Sequence, residues 1–228
     1  MADQHYDTTG LLVLDEVTPI ITALFGNFRL QPFYPEYRQA YFARLSGTTD
    51  PQWSDVHNNL IALAAKLALP LPDDGSVGMG TVLKALSKHF GAEHDKELDD
   101  LINGYRFEGS ADLEALFLIA TRINDGHNLA EMQYEGAWYC NTPRLFGFGG
   151  HGCFLSREVQ LSSNSQQAAD IGRHLRQKLL ENDLDAAAGV LAKGILRLFS
   201  AVTDQRTRLQ LRQRVSSLLQ IGNAGPAS

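Results

Sequence analysis

The chain has 228 residues, of which 44% are hydrophobic and 20% are charged, and its formal net charge is −6. This length supports one large domain or two small ones, and the composition excludes both a largely disordered chain and a fibrous repeat. Two cysteines cannot build a disulfide scaffold, and the negative charge argues against a surface evenly coated for nucleic acid or anionic membrane.

The charge is divided unevenly along the chain. Residues 1–163 carry 11 Lys and Arg against 21 Asp and Glu, a balance of −10, whereas residues 164–228 carry 9 against 5, a balance of +4. The pattern favours charge complementarity within the protein, with a basic surface for an acidic partner as the alternative. The first basic residue is Arg29 and no apolar run reaches 18 residues, so we expect a cytoplasmic protein without a membrane partner.

Residues 10–106 are predicted to form a helical N-terminal region, preceded by a flexible polar tail over residues 1–9. Within this region, residues 10–28 are apolar but are interrupted by Pro19, which indicates two short helices. Pro35 is typical of the first position of a helix, and we expect that helix to continue through the following ten residues.

A longer helix is predicted over residues 51–69, with Asp50 as its N-cap. Residues 70–80 are rich in Pro, Gly and Asp and indicate a loop, and short helices are predicted at 81–90 and 93–103. The apolar residues of the longer helix recur at helical spacing and predict a core stripe of Trp53, Val56, Leu60, Leu63 and Leu67.

Residues 107–163 are predicted to combine a helix over residues 110–124 with two strands. Apolar and polar residues alternate in 129–140 and again in 151–161, which is typical of half-buried strands. Antiparallel pairing into a hairpin is their simplest connection, and helices must cover its apolar face because an isolated hairpin is not stable. The helix has a core stripe of Leu113, Leu116, Phe117, Ala120 and Ile123.

Residues 164–221 are predicted to form a helical bundle, followed by a flexible tail over residues 222–228. One of its helices, residues 183–200, carries apolar residues at alternating steps of four and three: Leu184, Ala188, Leu191, Ile195, Leu198 and Val202. This spacing keeps one face against a partner helix, so the stripe predicts the organising seam of the bundle, with Ile195 buried among its neighbours. A contact between two copies is the alternative or the extension of this seam.

The expected fold class is therefore α+β and predominantly helical. It has a helical N-terminal half, a central antiparallel β-hairpin and a C-terminal helical bundle.

Four residues in and near the predicted strands are candidate zinc ligands: His127, Cys140, His151 and Cys153. Thiolate and imidazole groups are the ligands that zinc prefers, and four of them form a closed structural site. However, the chain has no CxxC or HxxxH pair among them, and buried cysteines also serve as small apolar core residues. Core packing is therefore the simpler interpretation, with zinc as the alternative cofactor.

Two further motifs have chemical interpretations. Residues 147–152 satisfy the pattern GxGxxG, but a strand follows them where a dinucleotide site requires a helix. We therefore interpret them as a loop in which glycine permits a positive φ or a close approach of the backbone. His127, oriented by Asp125 or Glu131, is a candidate catalytic base, and His151 is a second candidate. The simpler interpretation of residues 124–127 is a turn, because no nucleophile motif accompanies the histidine.

The last predicted helix carries four arginines that are candidates for partner binding: Arg206, Arg208, Arg212 and Arg214. At about 100° per residue they lie on both sides of the apolar stripe of this helix instead of forming one basic face. This arrangement suits a helix lying on a surface with arginine stems packed along its edges. It suits DNA recognition less well, although a grip on phosphates from both sides stays open.

These observations favour a non-enzymatic interaction or regulatory protein that binds another macromolecule, with a protein partner or self-association expected, as a homodimer or a complex subunit. The first alternative is a small enzyme or zinc-binding protein that uses the region of His127, Cys140, His151 and Cys153. The second alternative is a nucleic-acid-associated protein that uses the basic C-terminal helices, for which binding would weaken with salt.

Overall fold

The structure of the protein, a computed structural model, describes residues 4–33, 38–46, 48–72, 77–142, 145 and 147–221. The chain forms two units, an N-terminal unit over Met1–Gly150 and a C-terminal unit over His151–Ser228. In the described part of the chain, no helix combines the length and the apolar composition needed to cross a lipid bilayer.

The strands of the described ranges belong to one antiparallel sheet. They are β1 (Gln4–Val13), β2 (Gln31–Phe33), β3 (Gln39–Arg44), β4 (Glu131–Cys140), β5 (Phe148–Ser156) and β6 (Gln160–Asn164). Their order in the sheet is β2-β3-β1-β4-β5-β6. β1 is therefore an inner strand that pairs with β3 on one side and with β4 on the other.

The predicted fold class, a helical N-terminal half followed by a lone β-hairpin, is wrong. The N-terminal half contributes three strands to a six-stranded sheet, and β4 pairs with β1 along its whole length. β1 also begins at Gln4, within the segment interpreted as a polar tail. The described residues form a mixed α+β fold with eight α-helices and one six-stranded antiparallel sheet.

The helix predicted from Pro35 is a strand in its described part, because Gln39–Arg44 forms β3. Ala40 and Phe42 are both buried, and their spacing of two places them on one face of the strand. Phe42 lies opposite Gly10 in the register with β1. Pro35 itself lies outside the described residues, as does the tail over residues 222–228.

The described ranges contain eight α-helices. They are α1 (Pro19–Phe25), α2 (Trp53–Lys66), α3 (Met79–His89), α4 (Lys96–Gly104), α5 (Leu113–Arg122), α6 (Ser165–Leu180), α7 (Leu184–Ser200) and α8 (Gln205–Ile221). The first five belong to the N-terminal unit and the last three to the C-terminal unit.

The core of the N-terminal unit confirms most of the predicted helical stripes. On α2, four of the five predicted residues are buried and Leu67 is half-buried, while all five predicted residues of α5 are buried. Trp53 packs edge-on against the rings of Tyr105 and Phe107. Alternating burial along β4 confirms the period-two pattern of that strand.

The glycine-rich segment over residues 147–152 is strand for most of its length, and its interpretation as a loop is wrong. Gly149 and Gly150 lie in β5, where the indole ring of Trp138 on β4 occupies the space above Gly149. A Cβ at Gly149 would lie 2.1 Å from the ring atom Cζ2, so the missing side chain is what admits the tryptophan. The glycine at position 149 of the GxGxxG segment is therefore explained by the packing of Trp138 against β5.

Gly10 in β1 provides a direct test of the register between β1 and its two neighbours. A Cβ at this position would lie 2.3 Å from Phe42 Cζ and 2.6 Å from the carbonyl oxygen of Gln133. We expect Gly10→Ala to lower the free energy of unfolding by about 1–3 kcal/mol, because overpacking forces side chains and backbone to shift. Urea unfolding followed by tryptophan fluorescence measures this change.

The matched control is Gly26→Ala. Gly26 has a right-handed helical φ of −54°, and its nearest atom to an added Cβ is a methyl carbon of Thr22 at 3.7 Å. We expect this variant to unfold within about 0.5 kcal/mol of the parent, as surface substitutions usually do. Equal stability of both variants would contradict the register of β1.

Candidate functional site

The turn between α5 and β4 joins distant parts of the N-terminal unit through Asp125. Its carboxylate accepts hydrogen bonds from the hydroxyl of Thr18 and from the backbone N–H of Ile20, the latter at 3.0 Å. These groups lie at the beginning of α1, so Asp125 satisfies the helix N-terminus from another part of the chain.

Asn124 shapes the same turn locally. Its Oδ1 accepts hydrogen bonds from the backbone N–H groups of Gly126 at 3.0 Å and Asn128 at 3.1 Å. Gly126 and Asn128 both have positive φ angles, 109° and 47°, which glycine and asparagine adopt more readily than other residues. The turn chemistry predicted from residues 124–127 is therefore present.

His127 is fully buried in this turn, and both of its ring nitrogens contact backbone groups. Nδ1 accepts a hydrogen bond of 2.9 Å from the backbone N–H of Leu129, and Nε2 lies 3.2 Å from the carbonyl oxygen of Ile123. This pair of contacts defines the neutral tautomer that carries its proton on Nε2. The backbone carbonyl of His127 accepts a further bond from the N–H of Asp15 at 2.7 Å.

Burial lowers the pKa of His127 below its ordinary value, because desolvation disfavours the charged imidazolium. The hydrogen bond to the Ile123 carbonyl and the charge of Asp125, whose Oδ1 lies 4.0 Å from Nε2, act in the opposite direction but are smaller. A proton on Nδ1 would also remove the acceptor of the Leu129 N–H. The neutral ring thus holds the turn, and a catalytic role for His127 stays a prediction.

The four candidate zinc ligands are not assembled around one point. His127 precedes β4 and Cys140 is its last residue, so a ten-residue strand of about 30 Å separates them. His151 and Cys153 share one face of β5, with Cys153 buried and His151 half-buried. In the described part of the chain, no group of three His, Cys, Asp or Glu residues is placed to hold a metal ion.

The four candidate arginines of α8 differ in their surroundings. Arg208 is half-buried, and its guanidinium donates to the backbone carbonyls of Val202 at 2.9 Å and Thr203 at 3.1 Å, which anchors the beginning of α8. Arg206, Arg212 and Arg214 are exposed. A role of these three side chains in partner binding stays a prediction.

The apolar stripe predicted on α7 lies on the surface of the chain. Leu184 is 71% exposed, Leu191 51%, Leu198 60% and Ile195 38%, although the sequence predicted that Ile195 would be buried among neighbours. The buried residue of α7 is Ala187, which lies about 60° around the helix from Leu184. On α6 and α7 the half-buried large side chains are Ile171, Leu175, Val190 and Phe199, whereas the large residues of the stripe are exposed.

A groove of about 790 Å³ runs between α6 and α7 on the other side of α7. Its wall on α7 includes Lys193, which lies about 180° around the helix from Leu184. The floor contains Ile171, Gly189 and Val190, and the rim carries Arg197 as a second cation. The C-terminal unit thus presents an apolar face and, opposite it on α7, a basic groove.

Comparison of the chain with protein-family models, with curated proteins and with solved structures finds no match. The structure itself defines the protein as a mixed α+β chain with a three-helix C-terminal unit. The sequence predicted the apolar stripe of α7 but gave no sign of the groove, whose lining comes from two helices.

The pKa of His127 leads to a test by pH. Below about pH 6.5 the His127 ring binds a proton in the unfolded chain, whereas burial keeps the ring neutral in the native turn. The free energy of unfolding therefore falls on acidification. His127→Gln lacks a titrating ring but keeps a donor and an acceptor. We expect the parent to lose more stability than the variant between pH 7.5 and pH 5.5, by up to about 1.4 kcal/mol per pH unit.

Urea unfolding followed by tryptophan fluorescence is the appropriate measurement, because Trp53 and Trp138 both lie in the N-terminal unit. The parent is expected to be more stable at pH 7.5, with a difference that narrows at pH 5.5. Parallel stability curves over this range would show that His127 does not contribute to the pH dependence.

Proposed function

We propose that this protein is a non-enzymatic cytoplasmic interaction protein whose C-terminal unit is its binding module. In this proposal the apolar face of α7 is covered by the same face of a second copy, which makes the protein a homodimer. The observation that carries the proposal is the exposed stripe of α7, which includes Leu184, Leu191, Ile195 and Leu198.

The amount of exposed apolar surface supports a protein partner. Soluble monomers rarely expose large contiguous apolar patches, and larger ones mark interaction sites. Eleven large apolar side chains on α6, α7 and α8 are exposed, and four of them belong to the stripe of α7. The eleven are Leu179, Leu180, Leu184, Leu191, Ile195, Leu196, Leu198, Leu209, Leu211, Leu218 and Leu219.

The pattern of the stripe supports a second copy as the occupant. Steps of four and three are the spacing with which one helix packs into the grooves of another helix that has the same spacing. Ala187 and Ala192 flank the stripe on its two sides, so small, uncharged side chains lie next to the contact. A helix hairpin with such a face can pair with its copy as a four-helix bundle.

A charged substitution in the stripe tests this proposal. We expect the parent to have twice the chain mass of 25.1 kDa in sedimentation equilibrium at micromolar concentration. Leu191→Asp places a charge in the contact, which is costly without a partner, and should raise the dissociation constant at least tenfold, about 1.4 kcal/mol. Because Leu191 is half-exposed in the single chain, the variant should keep its helical circular dichroism and its cooperative melting.

Leu196→Asp is the matched control on the same helix. Leu196 is also exposed but lies about 120° around α7 from Leu184, away from the stripe. This variant is expected to keep the mass of the parent. A monomeric parent would contradict the proposal, and so would a Leu191→Asp variant that fails to fold while Leu196→Asp folds, because the stripe would then be an internal seam.

A further inference from the structure

The groove between α6 and α7 has a composition that differs from the apolar face. Its lining on α6 extends from Asn164 to Lys178, which corresponds to about 20 Å along the helix, or nearly four turns. Ile171 and Val190 are half-buried at its floor, whereas Gly189 and Lys193 are exposed. The groove is therefore long, open along its length and apolar only at its base.

Two glycines of α7, Gly189 and Gly194, line this groove, and packing against the described residues requires neither of them. A Cβ built at either position meets no atom within 4 Å. Glycine nevertheless lowers the helix propensity of α7 relative to alanine. Their positions leave open space along the wall, which allows another backbone or a row of side chains to approach α7 closely.

The charges around the groove are mainly positive. Lys193 and Arg197 are four residues apart on α7, so they lie on one side of the helix, and neither forms an ion pair with another described residue. Lys178 is already paired with Glu181 at 2.7 Å, and the acidic Asp170 is paired with Arg173 at 3.0 Å. Lys193 and Arg197 are therefore the cations that remain for a ligand.

We propose that this groove binds an amphipathic helix of a partner protein, with a row of small apolar side chains toward Ile171 and Val190. Two Asp or Glu residues of that helix, four positions apart, would pair with Lys193 and Arg197. Helix-in-groove recognition uses apolar anchors at helical spacing, and charge complementarity across the rim sets the partner and the register. The proposal does not depend on self-association, because it concerns the opposite side of α7.

A helix fits this groove better than the two other classes of ligand. Small-molecule sites enclose most of the ligand surface and are lined largely by apolar and aromatic side chains, whereas most residues of this groove are exposed. Nucleic acid is bound mainly through its phosphates by many cations, whereas this groove offers two unpaired ones above an apolar floor. A protein helix uses both the floor and the rim.

The probe for the test is a capped 18-residue helical peptide with an alanine and leucine row, flanked by glutamates at four-residue spacing. A second peptide with lysine in place of every glutamate serves as its charge-reversed match. Fluorescence anisotropy with the full chain should show binding of the glutamate peptide and at least tenfold weaker binding of the lysine peptide. No binding of the glutamate peptide would overturn the proposal.

Charge-reversal variants then locate the site. Lys193→Glu with Arg197→Glu should weaken binding of the glutamate peptide at least tenfold, and Lys66→Glu with Lys88→Glu, which makes the same charge change at exposed positions of α2 and α3, should alter it less than twofold. Equal weakening by both pairs would show general charge attraction and overturn the proposal. If an 18-base-pair DNA duplex binds more tightly than the glutamate peptide, and the variant with Lys193→Glu and Arg197→Glu loses that binding, the partner is nucleic acid and the proposal of a helix is overturned.

Filling the groove separates binding from folding. Gly189→Leu should raise the melting temperature, because the added side chain meets open space and leucine favours the helix, yet it should abolish peptide binding. Gly172→Leu on α6, where a Cβ also meets nothing within 4 Å and which does not line the groove, should leave peptide binding unchanged. Unchanged binding by Gly189→Leu would place the peptide elsewhere and overturn the proposal.

Discussion

Ten residue pairs join β1 to β4, from Gln4 opposite Cys140 to Val13 opposite Glu131, across more than a hundred residues of intervening chain. Closing such a long loop costs entropy, which only the contacts made after closure can offset. The pairing continues past the strand ends, because the N–H of Asp15 donates to the carbonyl of His127. Asp125 in the same turn then satisfies the beginning of α1, so the helix layer is attached to the sheet at this point.

The sequence correctly predicted those helices and strands in which the spacing of apolar residues follows from the burial of one face. On α2 a single buried face produces the helical period, and along β4 a single buried face produces the period of two. β1 lacks such a signal, because the run Leu11–Leu14 is apolar without alternation and fits a helix as well as a strand. The register between β1 and β3 places Gly10 opposite Phe42, and these two residues are 32 positions apart in the chain.

The buried turn shows the same limit at the level of single side chains. Asp125, Gly126 and His127 predict a turn, and the turn is present, since such residues act on their own backbone. The bonds from Asp125 to Thr18 and Ile20 span more than a hundred positions, and no local pattern contains them. The four residues weighed as zinc ligands show the same limit, because strand alternation gives the face of a residue but not its position along the sheet. In the described part of the chain they form no group placed to hold a metal ion.

α7 shows what a heptad pattern can predict and what only a structure can show. The spacing predicts which residues share a face, but it does not predict what covers that face, and Leu191 and Leu198 are exposed in the single chain. A fully exposed leucine forgoes about 1.5–3 kcal/mol of burial, and these partly exposed ones forgo a corresponding fraction. Gly189 and Gly194 lower the helix propensity by about 1 kcal/mol each, and a Cβ at either position meets no described atom within 4 Å. Both costs lie on the one helix, on opposite sides, and both would be offset by partners outside the chain. The two binding faces that we propose on α7 account for both costs, whereas either face alone accounts for one.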